Sequence, residues 1–425
     1  MTQPLPARER IAVIGAGVAG LTAAWLLGRR HDVVLFEREG RLGGHTHTVV
    51  VEHGPDAGLA VDTGFIVLNR RNYPTFVRIL DALGVALQPS DMSFGYHCER
   101  SGFQYAGTGL AGLFARRRNL ASARFGAMLL DIARFNARAR RDLAAGAAAG
   151  RTLAEYVGAL GLSEGFSEWY LFAMGSAIWS APRAHIGAFP AEAFLRFFEN
   201  HGLLGFTGQP RWLTVTGGSH TYVRAMLAGF SGEVRTGARI AGVRRPGTHV
   251  EVASERGVER FDRVVLAAHA DESLALLEDP DPEERRLLGA WRYSVNEAVL
   301  HTDERALPPR RAAWASWNLR RAAAAGDDRP VSVTYWMNRL QRLATPRTYC
   351  VTLNGTTLPR PERIVRAMTY THPVYTFESL ATQARLPALG AARRTHYCGS
   401  YFGWGFHEDA ARSGAAVAAA LGCPL

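Results

Sequence analysis

The sequence has no lysine: all 49 of its basic residues are arginine. That excludes Schiff-base chemistry on a lysine amine, and with it a pyridoxal enzyme. It also removes the lysine of a Walker phosphate loop. Cysteine is scarce. Cys98, Cys350, Cys398 and Cys423 include no C-x-x-C pair, so neither a disulfide framework nor a zinc site is expected, and a reducing, cytoplasmic compartment fits. Acidic residues are outnumbered, 38 against 49, for a formal charge of +11. Long uncharged runs are also few. Residues 11–28 form one of 18 residues, long enough for a membrane span or signal segment, but glycines at 15, 17, 20 and 28 interrupt it and no small-residue cleavage site follows. What remains is a globular composition, 47% hydrophobic and 20% charged over 425 residues, enough for two or three folding units.

The glycines in that run have a better explanation. Ile11-Ala12-Val13-Ile14 is a short apolar stretch of the kind buried in a parallel sheet, and Gly15-Ala16-Gly17-Val18-Ala19-Gly20 follows directly. Residues 21–30 read as a helix, and Val33-Val34-Leu35-Phe36 as a second buried strand ending at Glu37, 17 residues beyond Gly20. Strand, G-x-G-x-x-G, helix, strand and acid together form a dinucleotide-binding unit. Gly15 permits the tight turn, Gly17 lets the backbone approach a pyrophosphate, and Gly20 allows close helix packing. The helix start, with Val18 and Ala19, offers unpaired N–H groups to phosphate. Glu37 can accept both ribose hydroxyls and would repel a 2′-phosphate, so NADP is disfavoured.

The next residues extend the pattern. Glu37, Arg41, Gly43, Gly44 and Thr48 fit E-x-x-x-R-x-G-G-x-x-x-T, with Arg38 beside the acid. Here the sequence resembles FAD-binding proteins of the glutathione-reductase type. More narrowly, it resembles the superfamily of flavin amine oxidases, phytoene desaturases and protoporphyrinogen oxidases. The resemblance implies an α/β fold: a Rossmann-like FAD-binding domain with an interleaved α+β substrate domain of mixed sheet plus helices. It implies that Arg41, Gly43, Gly44 and His45 approach the FAD diphosphate and ribityl chain, and that Thr63, Gly64 and Phe65 pass the flavin. His45 and His47 depart from relatives that carry arginine or a small residue there. Asp62 is read as a structural turn beside the flavin, since Asp-x-Gly commonly caps turns.

The resemblance implies further returns to the cofactor. Residues 211–218 resemble the strand and glycine pair that reopen the nucleotide domain, and residues 238–243, including Ile240, resemble the segment that meets adenine. Residues 261–268 read as one buried strand whose end, at Ala267, nears the diphosphate. Last come Gly399 and Ser400, then Gly405, Phe406 and His407, ahead of a helix over 410–421 whose start points at the flavin. Ser400 stands where relatives carry an acid. The nucleotide-binding parts are thus expected at 5–75, 211–270 and 393–425, and the substrate domain at 76–210 and 271–392. In the latter, a helix is expected over 73–83, a hairpin from strands 92–99 and 103–106, and further strands of the same sheet at 297–301, 331–337 and 349–353. Alanine-rich residues 144–150 and 322–326 read as helix ends or loops.

Residues 61–69, 73–74, 90–94, 372–375 and 405–409 resemble a bacterial branch of flavoproteins associated with cyclopropane, methyl-branched and furan fatty acid formation. That branch implies a lipid link. Residues 110–151 hold nine arginines and two aspartates, interleaved with Leu113, Phe114, Leu120, Phe125, Met128, Leu129, Ile132 and Phe135. A basic amphipathic helix of this kind reads as a membrane-surface element on the inner face, or as a core helix with a solvated basic face. Nucleic acid is disfavoured for want of a recognised module. Phe189, Phe194, Leu195, Phe197, Phe198, Leu203, Leu204 and Phe206 could line an apolar channel.

The expected reaction is hydride transfer from an apolar substrate, such as an unsaturated or methyl-branched acyl chain of a phospholipid, to FAD, by dehydrogenation or double-bond isomerisation. His372, Tyr375, His407 and Glu408 are the candidates for handling the second hydrogen. Many amine-oxidising relatives place a lysine, through water, at the flavin's reactive nitrogen, and this chain has none. An amine or amino-acid oxidase and a non-catalytic FAD-containing binding protein are the alternatives. No metal is called for.

Overall fold

The computed structural model describes residues 8–205, 207–322, 332–356, 359–389 and 391–425. Residues 5–7, Phe206, 323–326 and Val331, all named above, lie outside the described residues.

The apolar run at 11–14 is completely buried because it forms the centre of a five-stranded parallel sheet. In spatial order the strands are Glu233–Arg235, Asp32–Phe36, Arg10–Ile14, Arg263–Leu266 and Thr395–Tyr397. Parallel strands covered on both faces need side chains that are apolar in both directions, and the sequence supplies them. The helix Val18–Leu27 follows and is buried all round. It is wedged between this sheet and the last helix, His407–Ala420. Gly414 makes that contact possible: a Cβ there would come within 2.2 Å of the Ala19 carbonyl oxygen. The uncharged run is therefore a strand and a sandwiched helix. Among the described residues no helix is long and apolar enough to cross a membrane.

One expectation about this region is corrected. Residues 261–268 are not one strand. Gly257–Phe261 closes a three-stranded antiparallel meander with Ile240–Arg244 and Val250–Ser254, whereas Arg263–Leu266 joins the parallel sheet. The chain turns at Asp262, whose carboxylate accepts the Arg10 backbone N–H at 2.7 Å. The strand expected within 211–218 is present as Trp212–Val215, and it pairs antiparallel with Val67–Asn69 and Leu87–Pro89. The strand that extends the parallel sheet after it is Glu233–Arg235.

A second sheet has seven strands, in the order Ile364–Val374, Arg292–His301, Cys350–Leu353, Ser332–Trp336, Trp317–Arg321, Phe94–Cys98 and Gln104–Ala106. All neighbours are antiparallel except Trp317–Arg321 beside Phe94–Cys98. The expected hairpin is found here, and the strands expected at 297–301, 331–337 and 349–353 appear as Arg292–His301, Ser332–Trp336 and Cys350–Leu353. The sequence did not reveal Trp317–Arg321 or Ile364–Val374, the latter an edge strand whose half-exposed residues and Pro373 give no clean alternation.

The helix Pro74–Ala82 forms as expected. The arginine-rich region folds as the helix Ala123–Ala144, with Ser122 capping it by accepting the Phe125 N–H. Phe125, Met128, Ile132, Phe135 and Ala139 line its buried face. The helix Ala191–Asn200 buries Phe194, Leu195, Phe197 and Phe198, with the Phe194 and Phe198 rings stacked at 4.3 Å. Together with buried Phe189 and Leu204, these side chains are core and do not line a channel. Leu203 is half-buried.

Candidate flavin site

The glycine turn is fixed by contacts only glycine allows. Gly15 has φ +102, and a Cβ on it would meet the Ala267 carbonyl oxygen at 2.9 Å. A Cβ on Gly20 would lie 1.9 Å from the Gly15 carbonyl oxygen. At Gly17 the situation is reversed: a Cβ would meet nothing within 4 Å. Its exposed backbone, at the start of helix Val18–Leu27, is what a pyrophosphate requires. Glu37 lies alongside, accepting the Ala16 N–H at 2.8 Å and the Glu39 N–H at 3.0 Å. Gly43 bridges in parallel to Gly17, its N–H donating to the Ala16 carbonyl at 2.8 Å, and a Cβ on Gly44 would touch the Gly17 Cα. Arg41 folds back so that Nη1 donates to the Gly44 carbonyl at 2.7 Å. Arg38 instead reaches Glu272 at 2.7 Å. The Ala238 N–H donates to the Glu37 carbonyl, which places the segment leading into Ile240 beside the acid.

These residues fit FAD. The cradle is open where Gly17 lacks a side chain, and Glu37 alongside would accept the ribose hydroxyls. Just beyond the Gly43–Gly44 pair, the buried His45 Nε2 has no hydrogen-bond partner. Changing Glu37 to alanine removes the acceptor and the anchor of the Ala16 N–H together. FAD affinity is expected to fall about ten- to hundredfold, by the usual worth of charge-assisted hydrogen bonds, and equilibrium titration of apoprotein with FAD measures it.

The loop following the cradle is tied to the carboxyl end. The Phe65 N–H donates to the His45 carbonyl at 2.8 Å, and a Cβ on Gly64 would lie 2.1 Å from the His45 carbonyl oxygen. Thr63 Oγ1 shares a 2.7 Å hydrogen bond with Tyr370 Oη. Asp62 is buried and accepts from Thr48 Oγ1, the Ser219 N–H and Ser219 Oγ, so it joins the strands to the helix His220–Ala228. Burial pushes its carboxyl up to about 6 despite these donors. Its carboxylate thus ties the end of strand Ala60–Asp62 to distant residues instead of capping its own Asp-x-Gly turn.

Three of the four side chains expected to handle protons are held in structural contacts. His407 stacks on Phe65 with centroids 3.7 Å apart, and its Nε2 meets Thr46 Oγ1 at 2.9 Å. Burial holds it neutral, down to about 3. Glu408 accepts the Thr75 and Phe76 N–H groups at 3.0 and 2.9 Å, capping helix Pro74–Ala82. Tyr375 Oη donates to the Gly403 carbonyl at 3.0 Å. Gly405, with φ +90, accommodates this tyrosine: a Cβ there would lie 2.7 Å from its hydroxyl. Ser400 accepts from the Gly403 and Gly405 N–H groups through its carbonyl, and the Gly399 N–H donates to Ser413 Oγ at 2.9 Å. The terminal helix starts at His407, three residues earlier than expected, because the Asp409 carboxylate caps it by accepting the Trp404 and Phe406 N–H groups.

His372 differs. It belongs to a wall of imidazoles and phenols that sequence reading did not assemble: His45, Tyr370, His372 and His269. The His45 ring lies 5.2 Å from Tyr370 and 5.3 Å from His372, and His269 stacks on Tyr293 at 4.1 Å. Burial first, and neighbouring imidazoles next, keep His45 well below its ordinary range and bring His372 down to about 4. His47, bonded to Tyr370 Oη at 3.0 Å, is likewise brought down to about 4, by burial and then by Arg41 and Arg366.

The protonation of His372 is fixed by a chain of amides. The Glu297 backbone N–H can only donate, and it points at Asn354 Oδ1 at 3.1 Å. Asn354 Nδ2 therefore donates to Asn296 Oδ1 at 2.7 Å, and Asn296 Nδ2 donates to His372 Nδ1 at 2.9 Å. A neutral ring accepting at Nδ1 carries its proton on Nε2. His372 thus presents a donor and cannot serve as the base expected of it. Asn296→Asp puts a carboxylate on Nδ1 and should draw a proton there. In an NMR titration, the wild-type imidazole should stay neutral above pH 5, whereas the variant's should titrate above 6.5.

A cavity of about 370 Å³ lies away from this site, lined by Arg245, Gly247, His249, Arg263, Ala391, Arg393 and Arg394. Arg263 and Arg394 place it at the entering ends of the parallel strands, opposite the glycine turn. Its guanidiniums bond to Asp279, Glu284, Glu9 and backbone carbonyls, so it is a structural ion network. Among the described residues no group of His, Cys, Asp and Glu could hold a metal, and all four cysteines are buried and free.

The glycine cradle, its acid and the arginine-glycine pair define an FAD-dependent oxidoreductase of mixed α/β architecture. Residues 18–422 match the profile of the flavin containing amine oxidoreductase family, and the chain belongs to that family. No curated protein sequence matches the chain. Solved structures share its fold. A CLA-producing fatty acid isomerase from P. acnes superposes with a TM-score of 0.64 at 15% identity, covering 96% of this chain and 97% of that one. Cyclohexylamine oxidase from Brevibacterium oxydans gives 0.68 at 15%, covering 97% and 98%. A putrescine oxidase bound to putrescine gives 0.67 at 14%, covering 98% and 99%. At such identities the likeness establishes the fold alone.

Proposed function

We propose that this oxidoreductase acts on a neutral, apolar substrate, an unsaturated or methyl-branched acyl chain of a membrane lipid, by dehydrogenation or double-bond isomerisation. FAD in the cradle supplies the two-electron acceptor. One observation carries the choice of substrate: the buried carboxylates around the site are engaged within the protein. Asp62, Glu408 and Asp409 are committed to backbone and hydroxyl donors, and Glu272 to Arg38. The remaining polar wall is neutral imidazole and phenol. With no lysine in the chain, no amine side chain can hold a water at the flavin either.

His372 Nε2–H and the uncommitted His45 Nε2 are the polar atoms left to orient a substrate or exchange a proton with it. The fold serves a fatty acid isomerase and amine oxidases alike, and the engaged carboxylates are what favours the lipid. Incubation with unsaturated and methyl-branched phospholipids, followed by mass analysis of the acyl chains, should reveal new or shifted double bonds. Unchanged chains, with peroxide released from soluble amines, would make it an amine oxidase instead.

A further inference from the structure

The outer surface of residues 110–130 has a composition that the core beneath it does not explain. Three short elements follow one another there: the helix Leu110–Leu113, the turn Arg117–Ala121 and the start of helix Ala123–Ala144. They are locked together. Asn119 Nδ2 donates to the Leu113 carbonyl at 3.1 Å and to the Gln104 carbonyl at 3.0 Å, and the Phe114 ring packs on Phe125. The surface is thus firm, not a loose loop. From it project Leu110, Leu120 and Leu130, which are 75%, 67% and 62% exposed. Among the described residues no other leucine is a strongly exposed large apolar side chain.

Interleaved with them are arginines. Among the described residues no ion pair forms to Arg117 or Arg118, and both are exposed. Arg124 lies over the Trp169 ring and pairs with Glu164, and Arg134 pairs with Asp131. Leu130 and Arg134 are four residues apart and so share one side of the helix. Three leucines this exposed, set among guanidiniums within one stretch of about twenty residues, make a surface suited to meeting apolar and anionic groups together. Leucines that enter an acyl boundary while arginines meet phosphate make both features useful at once.

We infer that residues 110–134 form a docking face for an anionic phospholipid bilayer, in which Leu110, Leu120 and Leu130 insert and Arg117, Arg118, Arg124 and Arg134 meet the headgroup phosphates. This rests on the lipid reading of the flavin site and adds the surface by which the enzyme reaches its substrate. The charge selects acidic headgroups over zwitterionic ones. The leucines select a bilayer over nucleic acid, whose backbone offers them nothing.

The test is co-sedimentation of the FAD-loaded protein with vesicles of pure phosphatidylcholine or of phosphatidylcholine with phosphatidylglycerol. Binding is expected only with phosphatidylglycerol and should weaken as salt rises. Arg117→Ser with Arg118→Ser should reduce it roughly thirtyfold, at the usual worth of a basic residue near an acidic bilayer. Leu120→Glu with Leu130→Glu should reduce it at least as far. Unchanged flavin absorbance and melting temperature show that the variants are folded. Docking is overturned if the wild type stays in the supernatant at low salt, or if the leucine variant sediments as well as wild type. Retention of the leucine variant by duplex DNA, with no loss from the wild-type level, would mark a nucleic-acid surface instead. The two proposals fail separately. Vesicle binding without any change in the acyl chains refutes the substrate, whereas conversion of detergent-dispersed lipid without vesicle binding refutes the docking face.

Discussion

Replacing Gly17 with valine is expected to leave the protein folded but unable to bind FAD. Gly17 has φ −70 and ψ 178, an extended conformation open to any residue, and its absent Cβ points where no protein atom lies within 4 Å. A branched side chain there meets no resistance from the fold but fills the approach to the pyrophosphate. The affinity for FAD should fall at least about a hundredfold, roughly 3 kcal/mol, while the melting temperature of the apoprotein stays near that of wild type. Gly20→Val is the contrast, because its Cβ would meet the Gly15 carbonyl oxygen at 1.9 Å and the turn itself must break. A yellow Gly17→Val protein with normal FAD affinity would show that the cofactor does not pass this residue.

Acid should unfold the protein before it reaches pH 4. His301, His396 and His407 are buried and held neutral, the first two down to about 4 and the last to about 3, mainly by burial. In the unfolded chain each takes up a proton near 6.5. Stability from these groups is therefore complete above pH 6.5 and is lost as the pH falls toward 4, because the unfolded state binds protons the native state refuses. At pH 5 each such histidine costs about 2 kcal/mol by this linkage. Three together approach the whole stability of an ordinary domain. Asp62 works in the opposite direction: its carboxyl is raised to about 6, so it favours the native state as pH falls from 6 toward 4. Glu408 and Asp409, also raised by burial, act the same way, and these carboxyls offset part of the loss. Urea unfolding at pH 7.5 and pH 5 measures the balance, and equal midpoints would contradict it. His407→Gln should flatten the pH dependence by removing one such group, and His45, His47, His201 and His372, also lowered by burial, act in the same direction.

The parts of the fold that were legible in the sequence are those whose determinants are contiguous. An apolar run, three spaced glycines, a helix and an acid lie within residues 11–37, and each has its own local reason to be where it is. The wall of the site was not legible in that way. His45, His269 and His372 come from a loop, a helix N-cap and an edge strand that only the register of two sheets brings together. The proton on His372 depends on Asn354 and Asn296, whose pairing follows from strand neighbours 58 residues apart. The proton-handling roles considered for His407 and Glu408 rested on residue type. What the sequence could not display was that the helix at 74–82 would claim the carboxylate through the Thr75 and Phe76 N–H groups, and that Phe65 and Thr46 would enclose the imidazole. The aromatic run at 189–204 misled for a related reason: a helix that stacks its own phenylalanines looks, in one dimension, like the lining of a channel.

The most direct measurement is an anaerobic titration of the FAD-loaded protein, with the flavin absorbance near its visible maximum followed as unsaturated phospholipid or a soluble amine is added. With phospholipid, lasting bleaching for a dehydrogenation, or altered acyl chains at constant absorbance for an isomerisation, is the predicted result, with no change on adding amines. Bleaching by amines and none by lipid, with every acyl chain recovered intact, would contradict the account.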